Sequence, residues 1–335
     1  MKRYLTILLL TVFALTSLVS CSKAKQNTEQ PSAEELIANG KKYYSDYYWG
    51  DWRDSWDNYQ KAINQFDEVI RLYPDYAPGY FYRGETYKKQ TSCFYIPSPD
   101  NDTIGYYTEA IRLDSNYVDA YNSRGEAYRK LGQYEEAIKD FTEALRLDPN
   151  NAWAYYYRGE VYRIQSQYEA TIKDYSEAIR LKPDYYYYAD RGYAYLKQGQ
   201  SDEAIKDYTE ALRLKPDGYD YYIMRGDVYR MQSQYEAAIR DYTEFIKLAP
   251  NSPWDYAIDR VYCDRGEIYL EQGQYEAAIS DFNESISFSR SYGNLKQIYT
   301  QSGQIDLLIQ ALEKTLKLDV HQYWARKELR ELRGY

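Results

Sequence analysis

From Val118 to Asn150 the chain reads VDAYNSRGEAYRKLGQYEEAIKDFTEALRLDPN, with apolar residues three and four positions apart in two successive runs. That spacing puts one apolar stripe on each of two helices, and Pro149 halts the second run. The same pattern recurs along most of the chain. Arg-Gly pairs at 83–84, 124–125, 158–159, 191–192, 225–226 and 265–266 keep its register at offsets of 41, 34, 33, 34 and 40 residues. A period near 34 predicts helix pairs, each unable to bury its stripe alone, stacked so that neighbours share a continuous core.

The clearest segment places Tyr121, Gly125, Tyr128, Tyr134, Ala137, Phe141, Ala144 and Pro149 at positions 4, 8, 11, 17, 20, 24, 27 and 32 of its unit. This string resembles the tetratricopeptide repeat, and the units beginning at Ala152, Tyr185 and Tyr219 keep most of it. The resemblance implies an all-α fold, a right-handed superhelical α-solenoid of antiparallel helix pairs. Seven to eight repeats are expected at 33–76, 77–117, 118–151, 152–184, 185–218, 219–258, 259–288 and 289–320, with a closing helix at 321–335. In the first unit Trp49, Trp52, Trp56, Tyr59, Ile63, Phe66 and Ile70 step by three and four. The second helix is therefore expected to extend N-terminally, its Trp stripe covering the end of the array or lining a ligand cleft.

Departures from the family pattern are more individual. Position 7 is Arg in six units, and Asp follows sixteen residues after five of them: Asp140, Asp174, Asp207, Asp241 and Asp281. A constant offset between paired helices predicts a repeated bridge from helix A to helix B. A ligand-binding arginine ladder is the alternative, although partly buried arginines need a structural partner. The unit of Arg83 lacks the matching Asp and carries an insertion in its inter-helix loop.

In proteins of this family, ligands lie along helix A at positions 2, 5, 6, 9, 12 and 13. The resemblance therefore implies a partner-binding groove containing Tyr82, Glu85, Asn122, Glu126, Arg129, Trp153, Tyr156, Tyr157, Glu160, Arg163, Tyr186, Tyr193, Asp227, Arg230 and Glu267. Acid and base at positions 9 and 12 are neighbours on one helix face, either as a solvated ion-pair ladder or as a ligand surface. Side chains such as Tyr156 and Arg163 are expected to project away from helix B. Interleaved charges and tyrosines could grip an extended peptide or stack on glycan rings. The family's carboxylate clamp needs Asn at position 9, where this chain has Glu126 opposite Asn122 at position 5, so that activity is not implied.

The first 32 residues follow another rule. Lys2 and Arg3 precede an apolar run from Tyr4 to Val19, the n-region and h-region of a secretory signal. At about 16 residues it is short for a membrane span. Leu18-Val19-Ser20-Cys21 resembles the bacterial lipobox, which implies cleavage after Ser20 and lipidation of Cys21. Residues 1–20 are then a lipoprotein signal peptide and 21–32 a flexible polar tether. Residues 33–335 form the solenoid, in a protein lipid-anchored in the bacterial cell envelope. Cys93 and Cys263 are expected to be free thiols, buried or partly buried.

Composition narrows the chemistry. A formal charge of −9 disfavours nucleic acid, which requires a basic surface. A single histidine, His321, leaves no His-based metal cluster or Ser-His-Asp triad. No Gly-rich loop follows an apolar strand to cradle phosphate. Neither an enzyme nor a cofactor is expected. Tyrosine stands out, with 45 residues among 335. The leading reading is a membrane-anchored scaffold holding a protein or peptide in its concave groove. The alternative is an accessory subunit of envelope assembly or solute uptake that contacts a small molecule or glycan.

Overall fold

A computed structural model describes residues 30–45, 52–94, 100–249, 256–285, 289–318 and 323–333. The lipobox, Cys21, the tether up to residue 29, Trp49 and the Cys93 side chain lie outside the described residues. All regular structure among those described is helical. Seventeen helices run α1 Ala33–Ser45, α2 Trp52–Leu72, α3 Ala77–Phe94, α4 Asp100–Leu113, α5 Val118–Lys130, α6 Tyr134–Leu147, α7 Ala152–Ile164, α8 Tyr168–Leu181 and α9 Tyr185–Lys197. They continue as α10 Ser201–Leu214, α11 Tyr219–Met231, α12 Tyr235–Leu248, α13 Tyr256–Glu271, α14 Tyr275–Glu284, α15 Ser289–Ser302, α16 Ile305–Leu318 and α17 Tyr323–Arg333. No described helix is long and apolar enough to cross a membrane. The chain divides into two compact units, Met1–Leu147 and Asp148–Tyr335.

Each unit is an α-solenoid of successive helix pairs. The core is distributed between neighbours, as one cluster shows by joining Ile223, Ala238, Tyr242 and Phe245 to Val261 and Ile268 of the next pair. Small residues let the helices approach. Ala137 and Ala144 are fully buried around Phe141. A Cβ added at Gly159 would lie 2.7 Å from Tyr175 Cε1, so only glycine fits that crossing without displacement. Turns between paired helices close with one residue in the left-handed region, such as Gly132 at φ 74°. Ser166 and Ser233 take the same conformation at φ 59° and 58°. The Gln167 amide donates to the Tyr162 carbonyl and the Ser166 amide to that of Arg163, at 2.8 and 2.9 Å, a Schellman closure.

The arginine ladder is structural. In Arg124–Asp140, Arg158–Asp174, Arg191–Asp207, Arg225–Asp241 and Arg265–Asp281, Nε and Nη2 donate to the two carboxylate oxygens at 2.7–2.8 Å. The third nitrogen reaches back to the preceding helix B. Arg124, Arg191, Arg225 and Arg265 donate from Nη1 to Thr108, Ser176, Thr209 and Thr243 at 3.1, 3.0, 3.0 and 2.7 Å. Each of these arginines thus fastens its own pair and the stack. Arg83, without the forward Asp, pairs backward with Asp67 at 2.7 Å instead. Tyrosines three residues before and four after sandwich the guanidinium, as Tyr188 and Tyr195 do for Arg191 at 5.6 and 5.7 Å.

Helix α2 extends N-terminally as expected and buries Tyr59, but Trp56 remains 39% exposed. Cys263 is a buried free thiol whose pKa burial raises.

Candidate functional site

The inner positions of helix A prove to be more strongly coupled to helix B than single-helix geometry allows. Position 9 carries an acid in most pairs, and its behaviour depends on the aromatic at position 24. Where that aromatic is Tyr, its hydroxyl donates to the acid: Tyr107 to Glu85 at 2.6 Å, Tyr242 to Asp227 at 2.7 Å, and Tyr175 to Glu160. Where it is Phe, at 141 and 282, that hydroxyl is missing, and the acid's partners include cations, as Glu160 also has in Arg163 and Asp227 in Arg260. Glu126 accepts Lys88 at 2.5 Å and Lys130 at 3.2 Å, and Glu267 meets Arg230 at 3.2 Å and Arg290 at 2.8 Å. Burial opposes ionisation of Glu126, yet the two lysines hold it below the usual carboxylate range.

In the unit Met1–Leu147, Tyr82 lies half-buried against Phe66, ring centroids 5.8 Å apart, with Lys41 Nζ 4.1 Å from its ring. Asn122 is buried, its carboxamide oxygen without a hydrogen-bond partner among the described residues. Arg129 is half-buried.

In the unit Asp148–Tyr335, the tyrosines of α7 and α9 form one cluster. Tyr156 meets Tyr175, Tyr186 and Tyr187 at 5.4, 5.3 and 4.8 Å, and its hydroxyl donates to Asp190 Oδ2 at 2.8 Å. Trp153 packs on Tyr157 at 4.1 Å. Glu160 is buried and takes two hydrogen bonds from Arg163, each 2.8 Å. The expectation that Tyr156 and its neighbours project away from helix B is therefore corrected. Tyr156 stacks on the α8 ring of Tyr175 and ties α7 to α9, so it is packing as well as surface.

Beyond this cluster opens a cavity of about 560 Å³, lined from four consecutive first helices. Arg163 comes from α7; Tyr186, Ala189, Asp190 and Tyr193 from α9; Asp220, Tyr221, Ile223, Met224 and Asp227 from α11; Arg260 from α13. All but Tyr221 occupy inner positions 2, 5, 6, 9 or 12. The cavity gathers four residues of the sequence-derived groove set, Arg163, Tyr186, Tyr193 and Asp227. Arg230 and Glu267 form a neighbouring ion pair that does not line it.

Sequence reasoning missed Asp190, Asp220, Tyr221, Met224 and Arg260. Asp190 had a visible signal, a carboxylate at position 6 inside the tyrosine-rich stretch YYYYADRGYAYLK. Burial pushes its pKa up to about 6, with Glu160 adding repulsion, while the Tyr156 hydrogen bond and Arg163 work the other way. Among the described residues, no cluster of three or more His, Cys, Asp or Glu is placed to hold a metal ion.

Sequence models of the TPR repeat match residues 125–163, and models of the tetratricopeptide repeat match 106–139, 152–185, 189–253 and 259–292. No curated protein sequence matches the chain. Similar solved structures include a tetratricopeptide repeat protein from Parabacteroides merdae, at 19% identity and TM-score 0.51, covering 76% of this chain and 92% of that one. YrrB, described as a TPR protein with an unusual peptide-binding site, has 18% identity and TM-score 0.50 over 57% of this chain and 97% of its own. Yeast Tom70 has 16% identity and TM-score 0.50 over 93% of this chain and 66% of its own. At these identities the likeness is one of fold.

Proposed function

Because this chain is a tetratricopeptide-repeat protein, we propose that it is a non-catalytic scaffold holding a protein or peptide partner along the inner faces of its first helices. The observation that carries this reading is the cavity shared by α7, α9, α11 and α13. It is within the usual size of ligand sites, roughly 300–1,000 Å³, and combines aromatic rings with a few convergent charged groups. Tyr193, 36% exposed, and Met224, 40% exposed, offer apolar contact there without being needed to close a core. Such surfaces are where interfaces draw their anchoring contacts.

The proposal includes the address. Cleavage at the lipobox and lipidation of Cys21 would hold the solenoid to a bacterial envelope membrane on a short polar tether. A lone acyl chain anchors marginally, whereas multiple acylation holds stably.

Two experiments test these statements. A photo-crosslinking amino acid at Tyr193, in cells expressing the full chain, is expected to capture a protein that the same group at Lys206 does not. Lys206 has a 72% exposed side chain on a second helix. Equal capture at both sites, or none at Tyr193, would overturn the groove assignment. Cys21→Ala is expected to abolish metabolic labelling with palmitate and release the protein from membranes. Retained labelling would overturn the anchor.

A further inference from the structure

The cavity has a charge asymmetry that selects among partners. Both arginines reaching it are already matched: Arg163 by Glu160 at 2.8 Å, and Arg260 by Asp227 and Asp264 at 3.1 Å each. Asp190 and Asp220 have no ion pair among the described residues. Asp190 accepts from the Tyr156 hydroxyl through one oxygen, leaving further acceptor capacity, since a carboxylate offers about four lone-pair sites. Tyr186, Tyr193 and Tyr221 stand around it. The ring of Tyr193 already draws cations, with Lys197 Nζ 5.1 Å and the Arg163 guanidinium 6.0 Å from its centroid.

Resting on the scaffold reading, we propose that this cavity takes a lysine or arginine side chain of an extended polypeptide partner, with its cation on Asp190 among the tyrosine rings and its methylene stem along Met224. An acidic side chain would face Asp190 and Asp220 with no unmatched donor charge to receive it. A purely apolar one would leave Asp190 desolvated and unpaired, which is unfavourable. The upward shift of Asp190 has that same origin in burial, reinforced by Glu160 and only partly offset by the Tyr156 hydrogen bond and Arg163, and an arriving cation relieves it. Position 6, where Asp190 stands, thus becomes the specificity-determining position of this site.

The test uses the full chain in detergent and three fluorescein-labelled extended peptides: alternating Ala-Lys, the same peptide with every lysine acetylated, and alternating Ala-Glu. Fluorescence anisotropy is expected to show binding of the first alone. Asp190→Asn keeps the shape and the acceptor for Tyr156, and should weaken Ala-Lys binding at least about tenfold, as for loss of one charge-assisted hydrogen bond. The exposed Asp220→Asn provides a second variant whose folding is not in question and should weaken binding by a smaller factor of about threefold. Glu210→Gln, on a second helix, should change nothing. Failure of the Ala-Lys peptide to bind, equal affinity for Ala-Glu, or an unchanged affinity in folded Asp190→Asn overturns the proposal. If crosslinking from Tyr193 still captures a protein in that event, the scaffold reading stands without it. If crosslinking also fails, both fall.

Discussion

Removing the arginine alone from one rung of the ladder should cost more than removing both of its members. In the α9–α10 pair, Arg191 and Asp207 are joined by two hydrogen bonds of 2.8 Å, and the Asp207 side chain is only 6% exposed. Arg191→Met keeps much of the stem between Tyr188 and Tyr195 but strands a buried carboxylate, a loss of about 3–5 kcal/mol. Asp207→Leu leaves the guanidinium 17% exposed and still bonded to Ser176, so its cost is smaller, about 2 kcal/mol. The double variant strands no charge and should lose only about 2 kcal/mol, giving a coupling energy of about 4 kcal/mol.

The pH dependence carries a second signature. Burial already raises the pKa of Asp207, against the hold of Arg191. Without that arginine it rises further above its unfolded value. A group shifted this way contributes stability at low pH and loses it as pH climbs through the folded pKa. Arg191→Met should therefore be less damaging at pH 5 than at pH 8, by about 1.4 kcal/mol for each unit by which the folded pKa is carried above 5. Urea unfolding followed by circular dichroism at both pH values measures this. Native-state hydrogen exchange in α9 and α10 localises the loss, because repeat arrays need not unfold as one. Additive single losses, or a penalty independent of pH, would refute the bridge as the fastening of this pair.

Three further perturbations test the packing. Gly159→Ala forces a Cβ to within 2.7 Å of the fully buried Tyr175 ring and should destabilise by about 1–2 kcal/mol net of helix propensity, whereas Gly105→Ala, with nothing within 4 Å, should stabilise by nearly 1 kcal/mol. Equal shifts in melting temperature for the two would place the close crossing elsewhere. Ser166→Gly and Ser233→Gly relieve left-handed conformations and should each add about 1 kcal/mol, read from urea midpoints, with a loss contradicting the turn geometry. Tyr175→Phe withdraws the hydroxyl from Glu160, which retains Arg163, and should cost about 1 kcal/mol; an unchanged unfolding curve would argue against the hydrogen bond.

What the chain discloses by periodicity is the repeated backbone and its repeated contacts. Arg-Gly at a near-constant spacing locates the crossings, and Asp sixteen residues after Arg locates the bridge, because both ends recur in register. Hydroxyl residues after the position-24 aromatic, Thr108, Ser176, Thr209 and Thr243, recur as regularly. Their bond is made by the following unit's arginine, and a reading confined to one helix pair does not connect them. Position 24 shows the same limit in another form. Tyr and Phe fill a core gap almost equally well, yet only the tyrosine hydroxyl adds a hydrogen bond from helix B to the acid at position 9, beside the lysine or arginine that also reaches it.

The candidate site was the least legible part because it is built where the repeats differ. Tyr156 at position 5 bonds Asp190 at position 6 of the next pair, a contact with no counterpart in the family pattern. Helical geometry alone assigns Tyr156 to a free face, since it considers one helix, whereas the fate of an inner side chain is settled by the first helix beside it. The same reasoning explains why Asp190 matters although no motif marks it. The acids at position 9 on either side of it, Glu160 and Asp227, are matched with arginine and tyrosine, whereas Asp190 accepts from the Tyr156 hydroxyl and has no ion pair among the described residues. A scaffold repeats in order to stand, and it distinguishes partners at the positions where it stops repeating.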